Sequence, residues 1–436
     1  MEWALPLVLF LGGLIALMLL GLPVATAFIV VNIVGAWVFM GGIAGLELLT
    51  RNALDGVISF SLVPIGLFIL MGEALYQSGL AGKAIDAVDR LIRRLPGRLA
   101  IVSIVGGTLF SALSGSSVAN AAMLGSTLVP QMMQRRYHPV MSIGPILGTG
   151  GIAILIPPSA LTVLLGSLSR IPIAELLIAG IVPGLLIAGS YVVYVIVRCT
   201  LNPGLAPTYD EPEMSWAERL LPTVQYVIPL SLLFIIVVGS MLSGIASPSE
   251  ASALGATAAI LVVLLYRRLT WNVLSVTLME TAKISGMILF IMSASMTFSQ
   301  ILNFSGATQG VLDAVSSWQL SGLGLVLILI AVYLFLGCFI DQVSIMMITL
   351  PFFVPLAREM GLDLIWFGTI MLVMLEVGLT TPPFGLLLFV MKGVVPAEVT
   401  MRQIIDAVIP YIVMTMLVVA AIVAFPPFAT FLPSLL

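Results

Sequence analysis

The chain has 436 residues, of which 60% are hydrophobic and only 8% charged, with a formal net charge of −3. Soluble domains carry about 25% charged residues, so this composition excludes a water-soluble fold, and the weak net charge excludes a basic nucleic-acid-binding surface. Apolar runs of roughly 20 residues recur along the whole length, which fixes the class as an all-α integral membrane protein in a lipid bilayer.

The N-terminus, Met1-Glu2-Trp3, lacks the basic n-region of a cleaved signal peptide, and the first apolar run reads as a retained span. In chain order the predicted spans are 4–20, 22–42, 57–77, 139–170, 172–198, 222–243, 248–266, 284–304, 361–392 and 407–431. Segment 80–95 sets Leu80, Ala84, Ala87, Val88, Leu91 and Ile92 against Lys83, Asp86, Arg90 and Arg93, the pattern of an amphipathic helix along the interface, with 397–407 as its expected partner. Segments 97–134 and 321–358 are each too long for one span, and each has a glycine-containing break near its middle, at 114–117 and at 337–341. The polar loop 202–219, with Asp210, Glu211, Glu213 and Glu218, reads as a linker. Ser247-Pro248-Ser249-Glu250 reads as a capping box, with Pro at N1 and Glu at N3. Cys199 and Cys338 lie in unlike settings and predict neither a disulfide nor a metal site, and His138, the only histidine, reads as a solvated turn residue.

The two long segments match at an offset of 225 residues: Pro130, Pro157 and Pro158 fall on Pro355, Pro382 and Pro383, and Ser116 falls on Asp341. Lys83, Arg90, Arg93, Arg94 and Arg98 precede the first segment and Arg135 and Arg136 follow it, so both of its ends face the cytoplasm and it forms a re-entrant hairpin. The second segment lacks such flanks and its ends read as external. Five spans between the two segments place the hairpins on opposite sides. The expected architecture is therefore an inverted repeat of two halves, each of about five transmembrane helices plus one re-entrant helical hairpin. Residues 1–200 hold the first half (hairpin 97–134, broken helix 139–170), 201–221 the linker, and 222–436 the second half (hairpin 321–358, broken helix 361–392). Both termini come out external. Ile85-Asp86-Ala87-Val88 also matches Leu312-Asp313-Ala314-Val315. A weak repeat with Gly/Pro-broken apolar segments at matching positions is the mark of a secondary transporter's binding site.

At the first tip, Ser114-Gly115-Ser116-Ser117 exposes unpaired backbone at membrane depth, tolerated only where protein or a cavity satisfies it. Freed carbonyls and hydroxyls suit Na⁺, and the following half-helix offers N–H groups to a carboxylate; a small-residue helix contact is the plainer alternative. Asp341 sits in an apolar run and calls for a cation, or is a protonated structural residue. Gly148 to Pro158 and Glu376 to Pro383 should unwind their helices rather than merely kink them. The substrate-binding candidates are Ser114, Gly115, Ser116, Ser117, Asn120, Pro158, Gly337 and Pro383. The Na⁺ candidates are Ser114, Ser116, Gly148, Gly151, Gly337, Asp341, Ser344, Glu376, Thr380 and Thr381, with Thr349 possible beside Asp341 and Glu73 a weaker ionisable group at a helix end. No Gly-x-x-x-x-Gly-Lys-Ser/Thr loop is present, so energy comes from an ion gradient or a partner rather than from ATP through that motif.

These stretches resemble the large membrane subunit of tripartite ATP-independent periplasmic (TRAP) transporters. The resemblance rests on Met71-Gly72-Glu73, Leu95-Pro96-Gly97, Ser114-Gly115-Ser116-Ser117-Val118-Ala119, Gly151 to Pro158, Ile181-Val182-Pro183-Gly184, Pro248-Ser249-Glu250-Ala251 and Thr381-Pro382-Pro383-Phe384-Gly385, in family order along almost the whole chain. It implies a Na⁺-coupled importer in the bacterial inner (cytoplasmic) membrane, working by an elevator mechanism between transport and scaffold domains, with both termini periplasmic. The implied partners are a small four-helix membrane subunit, expected as a separate chain because residue 1 already begins the first span, and a periplasmic substrate-binding protein, with no ATPase. The implied substrates are small organic acids, C4-dicarboxylates or sialic-acid-like carboxylates. Cys338 and Thr380-Thr381 depart from the family pattern. A stand-alone ion-coupled carboxylate carrier is the alternative. A channel explains an inverted repeat less well, and the serines have no His or Lys partner at a spacing that would make an enzyme.

Overall fold

The computed structural model describes residues 3–58, 60–92, 95–207, 215–318 and 320–436, without the side chains of residues 19, 55–57, 112–114 and 316. Among these residues the chain is helical throughout and has no strand. Six helices among the described residues have the length and composition to cross a membrane.

The same order of elements occurs twice. In the first half, Ala4–Leu19, Val24–Phe39, Ile43–Val57 and Val63–Gln77 lead to the short helix Leu80–Leu91. A hairpin follows, with arms Arg98–Ser114 and Ser117–Gln134, then a helix interrupted between Gly144–Gly150 and Ala160–Ser169, then Ile181–Leu201. In the second half, Ile228–Leu242, Pro248–Leu265 and Trp271–Phe304 lead to the short helix Ala307–Ser317. The hairpin arms are Gly322–Gly337 and Gln342–Glu359, the interrupted helix is Leu364–Thr380 with Leu386–Val394, and Met401–Ala424 closes the chain. The halves are joined by packing of Val24–Phe39 and Val63–Gln77 on Trp271–Phe304 and of Val63–Gln77 on Pro248–Leu265. The Phe28 and Phe298 rings meet edge to face at 5.1 Å within this contact, and Asn32 donates to the Ala294 carbonyl.

Several boundaries differ from the sequence expectation, each for a local reason. The predicted span 284–304 is the apolar end of a 34-residue helix starting at Trp271. Thr270 caps it by accepting from the Val273 N–H, and no proline interrupts its polar first turns. At about 51 Å this helix exceeds the hydrocarbon thickness of about 30 Å. The matching stretch of the first half is divided instead: helix ends at Val57 and resumes at Val63, with Pro64 in its first turn, where the missing N–H costs nothing. The amphipathic segment forms Leu80–Leu91 and buries Leu80, Ala84, Ala87 and Val88 as expected, while Leu91 is exposed and residues 93–94 lie outside the described residues. Its counterpart is Ala307–Ser317, not 397–407: the capping box of Thr400 with Gln403 starts the long helix Met401–Ala424 there. Most of the linker, 208–214, lies outside the described residues, and its end is helical from Trp216 because Ser215 and Glu218 form a capping box that sequence reading took for loop polarity. The Ser247–Glu250 capping box forms as read. His138 is exposed but caps a helix, Nδ1 accepting from the Val140 N–H.

The short helix is tied to the base of the first hairpin by Arg98. Its buried guanidinium donates to the Asp89 carboxylate at 2.8 Å and to the Asp89 carbonyl at 2.9 Å. Arg98→Leu removes both bonds, and hydrogen bonds of charged groups contribute about 1.5–3 kcal/mol each at most. A clear drop in thermal stability of the purified protein is expected, with little change for Arg402→Leu as control, whose exposed guanidinium reaches Asp406 only at 4.0 Å.

Candidate functional site

Each hairpin tip is built by two local devices. In the first, Gly115 ends the arm in the left-handed region (φ +58), donating its N–H to the Ser111 carbonyl at 2.9 Å. Ser116 then caps the second arm by accepting from the Ala119 N–H at 3.2 Å. In the second, the arm ends at Gly337, and Asp341 caps the next arm by accepting from the Ser344 N–H at 3.1 Å and from the Ser344 hydroxyl. Ser116 and Asp341, paired by the sequence offset, hold the same structural position. A carboxylate at a helix N-terminus is favoured by the free N–H groups there, so capping accounts for Asp341 in part; Thr349 lies two turns away, partnered by Tyr333 at 2.9 Å.

The interrupted helices meet these tips. Non-helical backbone runs from Gly151 to Ser159, where Ser159 caps Ala160–Ser169 through the Thr162 N–H, and from Thr381 to Gly385 in the second half. A Cβ on Gly115 would lie 3.3 Å from the Pro158 carbonyl. The Ser111 hydroxyl donates to the Thr149 carbonyl at 3.1 Å and accepts from Asn120 at 2.7 Å, both fully buried. Gly337 and Gly378 approach backbone to backbone, so that a Cβ on Gly337 would overlap the Gly378 chain. Cys338 Sγ donates to the Pro382 carbonyl at 3.2 Å.

Glu376 joins the two halves of this arrangement. Its side chain is 1% exposed. One carboxylate oxygen accepts from the Ser117 hydroxyl at 2.7 Å, and Gln342 and the Ile154 backbone face the same carboxylate. Ser117 and Gln342 are the first residues of the second arms of the two hairpins, so the carboxylate sits at two positive helix ends at once. Its other oxygen and the Gln342 amide nitrogen that faces it are buried without a hydrogen bond of good geometry, and the Asn120 amide oxygen is buried with no partner. Glu376 lines a small cavity of about 10 Å³ with Gly148, Gly151, Thr380, Tyr191 and Tyr411. That volume holds about one water-sized group, and the Tyr411 hydroxyl there also lacks a partner.

Of the residues named from sequence, Gly148, Gly151, Glu376 and Thr380 thus share one cavity, while Asp341 and Ser344 bond each other at the second tip. The Thr380 and Thr381 hydroxyls both donate to the Val377 carbonyl, at 2.9 and 2.7 Å. Pro158 is buried against the first tip and Pro383 is exposed. Ser114 ends the first arm, and its side chain lies outside the described residues. Gln342, Tyr191 and Tyr411 escaped sequence reading. Gln342 carried a signal, because an amide following a carboxylate inside an apolar run costs free energy to bury unless it is paired.

The whole chain, and not these motifs alone, matches known proteins. Residues 11–428 match the family described as tripartite ATP-independent periplasmic transporter, DctM component. The chain belongs to this family of TRAP transporter large permeases. It is 32% identical over 424 residues to the ectoine/5-hydroxyectoine TRAP transporter large permease protein of Ruegeria pomeroyi, covering 97% of each chain. It is 32% identical over 380 residues to the C4-dicarboxylate TRAP transporter large permease protein of Pseudomonas aeruginosa, covering 86% of each. The 2,3-diketo-L-gulonate TRAP transporter large permease protein of Escherichia coli is 28% identical over 408 residues and 93% of each chain. The fold is similar to that of the Alcanivorax borkumensis YdaH transporter, with a TM-score of 0.59 and 15% identity over 89% of this chain and 88% of that one. The protein is therefore a multi-pass membrane permease, of a family whose large subunits work with a small membrane subunit and a periplasmic binding protein and without an ATPase.

The Gly337–Gly378 contact gives a direct test of the second tip. Gly337→Ala is expected to destabilise the purified TRAP permease by about 1–3 kcal/mol through overpacking, read as a lowered thermal midpoint. Gly393→Ala, where a Cβ meets nothing within 4 Å in a helix, should leave the midpoint unchanged or slightly raised.

Proposed function

We propose that this permease imports small organic acids by Na⁺ symport, receiving them from a periplasmic binding protein, with the two hairpin tips and the two helix interruptions as the site of coupling. The observation that supports this best is Glu376: a fully buried carboxylate with one oxygen short of a well-formed hydrogen bond, in a cavity shared with Gly148, Gly151 and Thr380. A carboxylate at membrane depth calls for a cation or a proton, and glycine carbonyls beside it are hard oxygen donors suited to Na⁺. Asp341 with Ser344, and Gly337, would serve the second tip in the same way. The substrate would sit between Ser114–Asn120 and Gly337–Ser344, against Pro158 and Pro383, where the starts of Ser117–Gln134 and Gln342–Glu359 present positive ends to a carboxylate. Ectoine, C4-dicarboxylates and 2,3-diketo-L-gulonate, named for the relatives, all carry carboxyl groups.

The repeated element order and the distribution of charge support an inverted arrangement in the inner membrane with both termini periplasmic. Lys83, Arg90, Arg98, Arg135 and Arg136 surround the base of the first hairpin, and Arg267, Arg268, Lys392 and Arg402 fall on the same side. The hairpins and interrupted helices would move as a transport domain against a scaffold of the remaining helices.

The test is uptake into proteoliposomes holding the chain and its small membrane partner, with a panel of labelled organic acids, with and without an inward Na⁺ gradient and the cognate binding protein. Uptake that needs both is expected. Uptake with Na⁺ alone would indicate a stand-alone carrier, and uptake that follows a proton gradient instead would overturn the Na⁺ assignment. Asp341→Asn keeps a good N-cap while removing the charge; Na⁺-driven uptake should be lost with thermal stability nearly intact, and unchanged uptake would remove Asp341 from the site.

A further inference from the structure

A second cavity, of about 710 Å³, runs along the second arm of the second hairpin from Met347 to its far end at Arg358. It opens between Trp271–Phe304 on one wall and the ends of Ala160–Ser169 and Gln342–Glu359 on the other. It shares no lining residue with the Glu376 cavity, and Arg358 is sixteen residues along its arm from Gln342, about 24 Å at the helical rise per residue. Two features of the local chain build it. Pro351 has no N–H for the Met347 carbonyl, and Ser295 of the facing helix takes up that carbonyl instead, at 3.5 Å. Arg170 ends its helix at φ +55, and Arg358 donates to the neighbouring Ser169 carbonyl at 2.8 Å. The two helix ends are thereby tied together, and both arginines line the same cavity.

The lining is half apolar, with Met292, Met296, Met347 and Leu350 among it, and its charges are of one sign. Arg170 and Arg358 are its only charged residues; no carboxylate lines it, and neither arginine forms an ion pair among the described residues. Ser167, Ser299, Gln300 and Asn303 add hydroxyl and amide groups. Two cations in one cleft without a counter-charge repel each other and focus a positive potential into it, and the planar guanidinium fork matches a carboxylate.

We propose that this cavity is a receiving site for carboxylate substrates: Arg170 and Arg358 hold the carboxyl group, and Ser299, Gln300 and Asn303 contact the rest of the molecule before it reaches the hairpin tips. The proposal rests on the reading of the protein as an organic-acid importer, and it adds the place where the acid group is first selected. In the inverted arrangement the base of the second hairpin is external, so the cavity faces the side from which a binding protein delivers.

The test reads the potential of the cavity without needing the substrate. Ser299→Cys, in sealed vesicles of the chain with its small partner, is treated from outside with anionic and cationic methanethiosulfonate reagents of similar size. Each rate is divided by that of the same reagent with a free thiol. Cys199 and Cys338 are buried, and the protein without the new cysteine gives the background. A corrected preference for the anionic reagent of about tenfold or more is expected, falling toward unity in Arg170→Gln and Arg358→Gln and retained in Arg358→Lys. Equal corrected rates, or a preference for the cationic reagent, would overturn the proposal, as would a preference that survives removal of both arginines. The same variants should raise the KM for uptake of the transported acid while leaving kcat within about twofold. An anion-selective cavity in a protein that shows no Na⁺-driven uptake would sink the symport reading alone, and uptake by a protein with a charge-indifferent cavity would sink the receiving site alone.

Discussion

Every interruption of a helix inside a membrane must find partners for the backbone groups it frees, because no water is at hand to take them. Among the described residues, the two hairpin tips and the two helices that follow the hairpins carry such interruptions, and the rest of the structure serves to bring them face to face. Glu376 shows how: one carboxylate bonds the first hairpin through Ser117 and faces the second through Gln342. Each hairpin alone would leave a polar tip stranded among apolar helices.

The same economy runs through the helix ends. Ser116, Ser159, Asp341 and Asp363 all cap helices by accepting from N–H groups two or three residues on, and the capping boxes at Ser215, Ser247 and Thr400 do so at the starts of Trp216–Pro222, Pro248–Leu265 and Met401–Ala424. A cap of this kind satisfies only part of a carboxylate or hydroxyl, leaving lone pairs for a ligand. At the tips, support of the fold and readiness to bind therefore reside in the same atoms.

What could be read from sequence was what is punctuated locally. Proline and glycine act on their own backbone wherever they stand, so Pro157-Pro158 and Pro382-Pro383 announced the interruptions, and Ser247 with Glu250 announced a helix start. The same grammar at Ser215 and Glu218 was hidden by the acidic residues around it. Apolar periodicity located Trp271–Phe304 only from residue 284, since the polar first turns of that helix hold together through the backbone and the Thr270 cap rather than through burial. Contacts between residues distant in the chain left no such trace. Nothing near Ser117 says that Glu376 lies 2.7 Å away, and nothing near Arg170 says that it shares a wall with Arg358. The pairing of Tyr191 with Thr415, 2.5 Å apart and 224 residues separated in sequence, is of the same kind.

The contact of Gly337 with Gly378 has a mechanical consequence. Two backbones in direct apposition have no side chains between them to shear, rotate or repack, so the second hairpin cannot swing at that level without losing the contact outright. With the Cys338 thiol shared between the Leu334 carbonyl of its own helix and the Pro382 carbonyl, each at 3.2 Å, hairpin and interrupted helix stay in contact near the tip and are displaced together. The compliance of the second half must then reside elsewhere, in the serine- and proline-lined gap against the long helix, where hydroxyls and freed carbonyls can exchange partners at little cost.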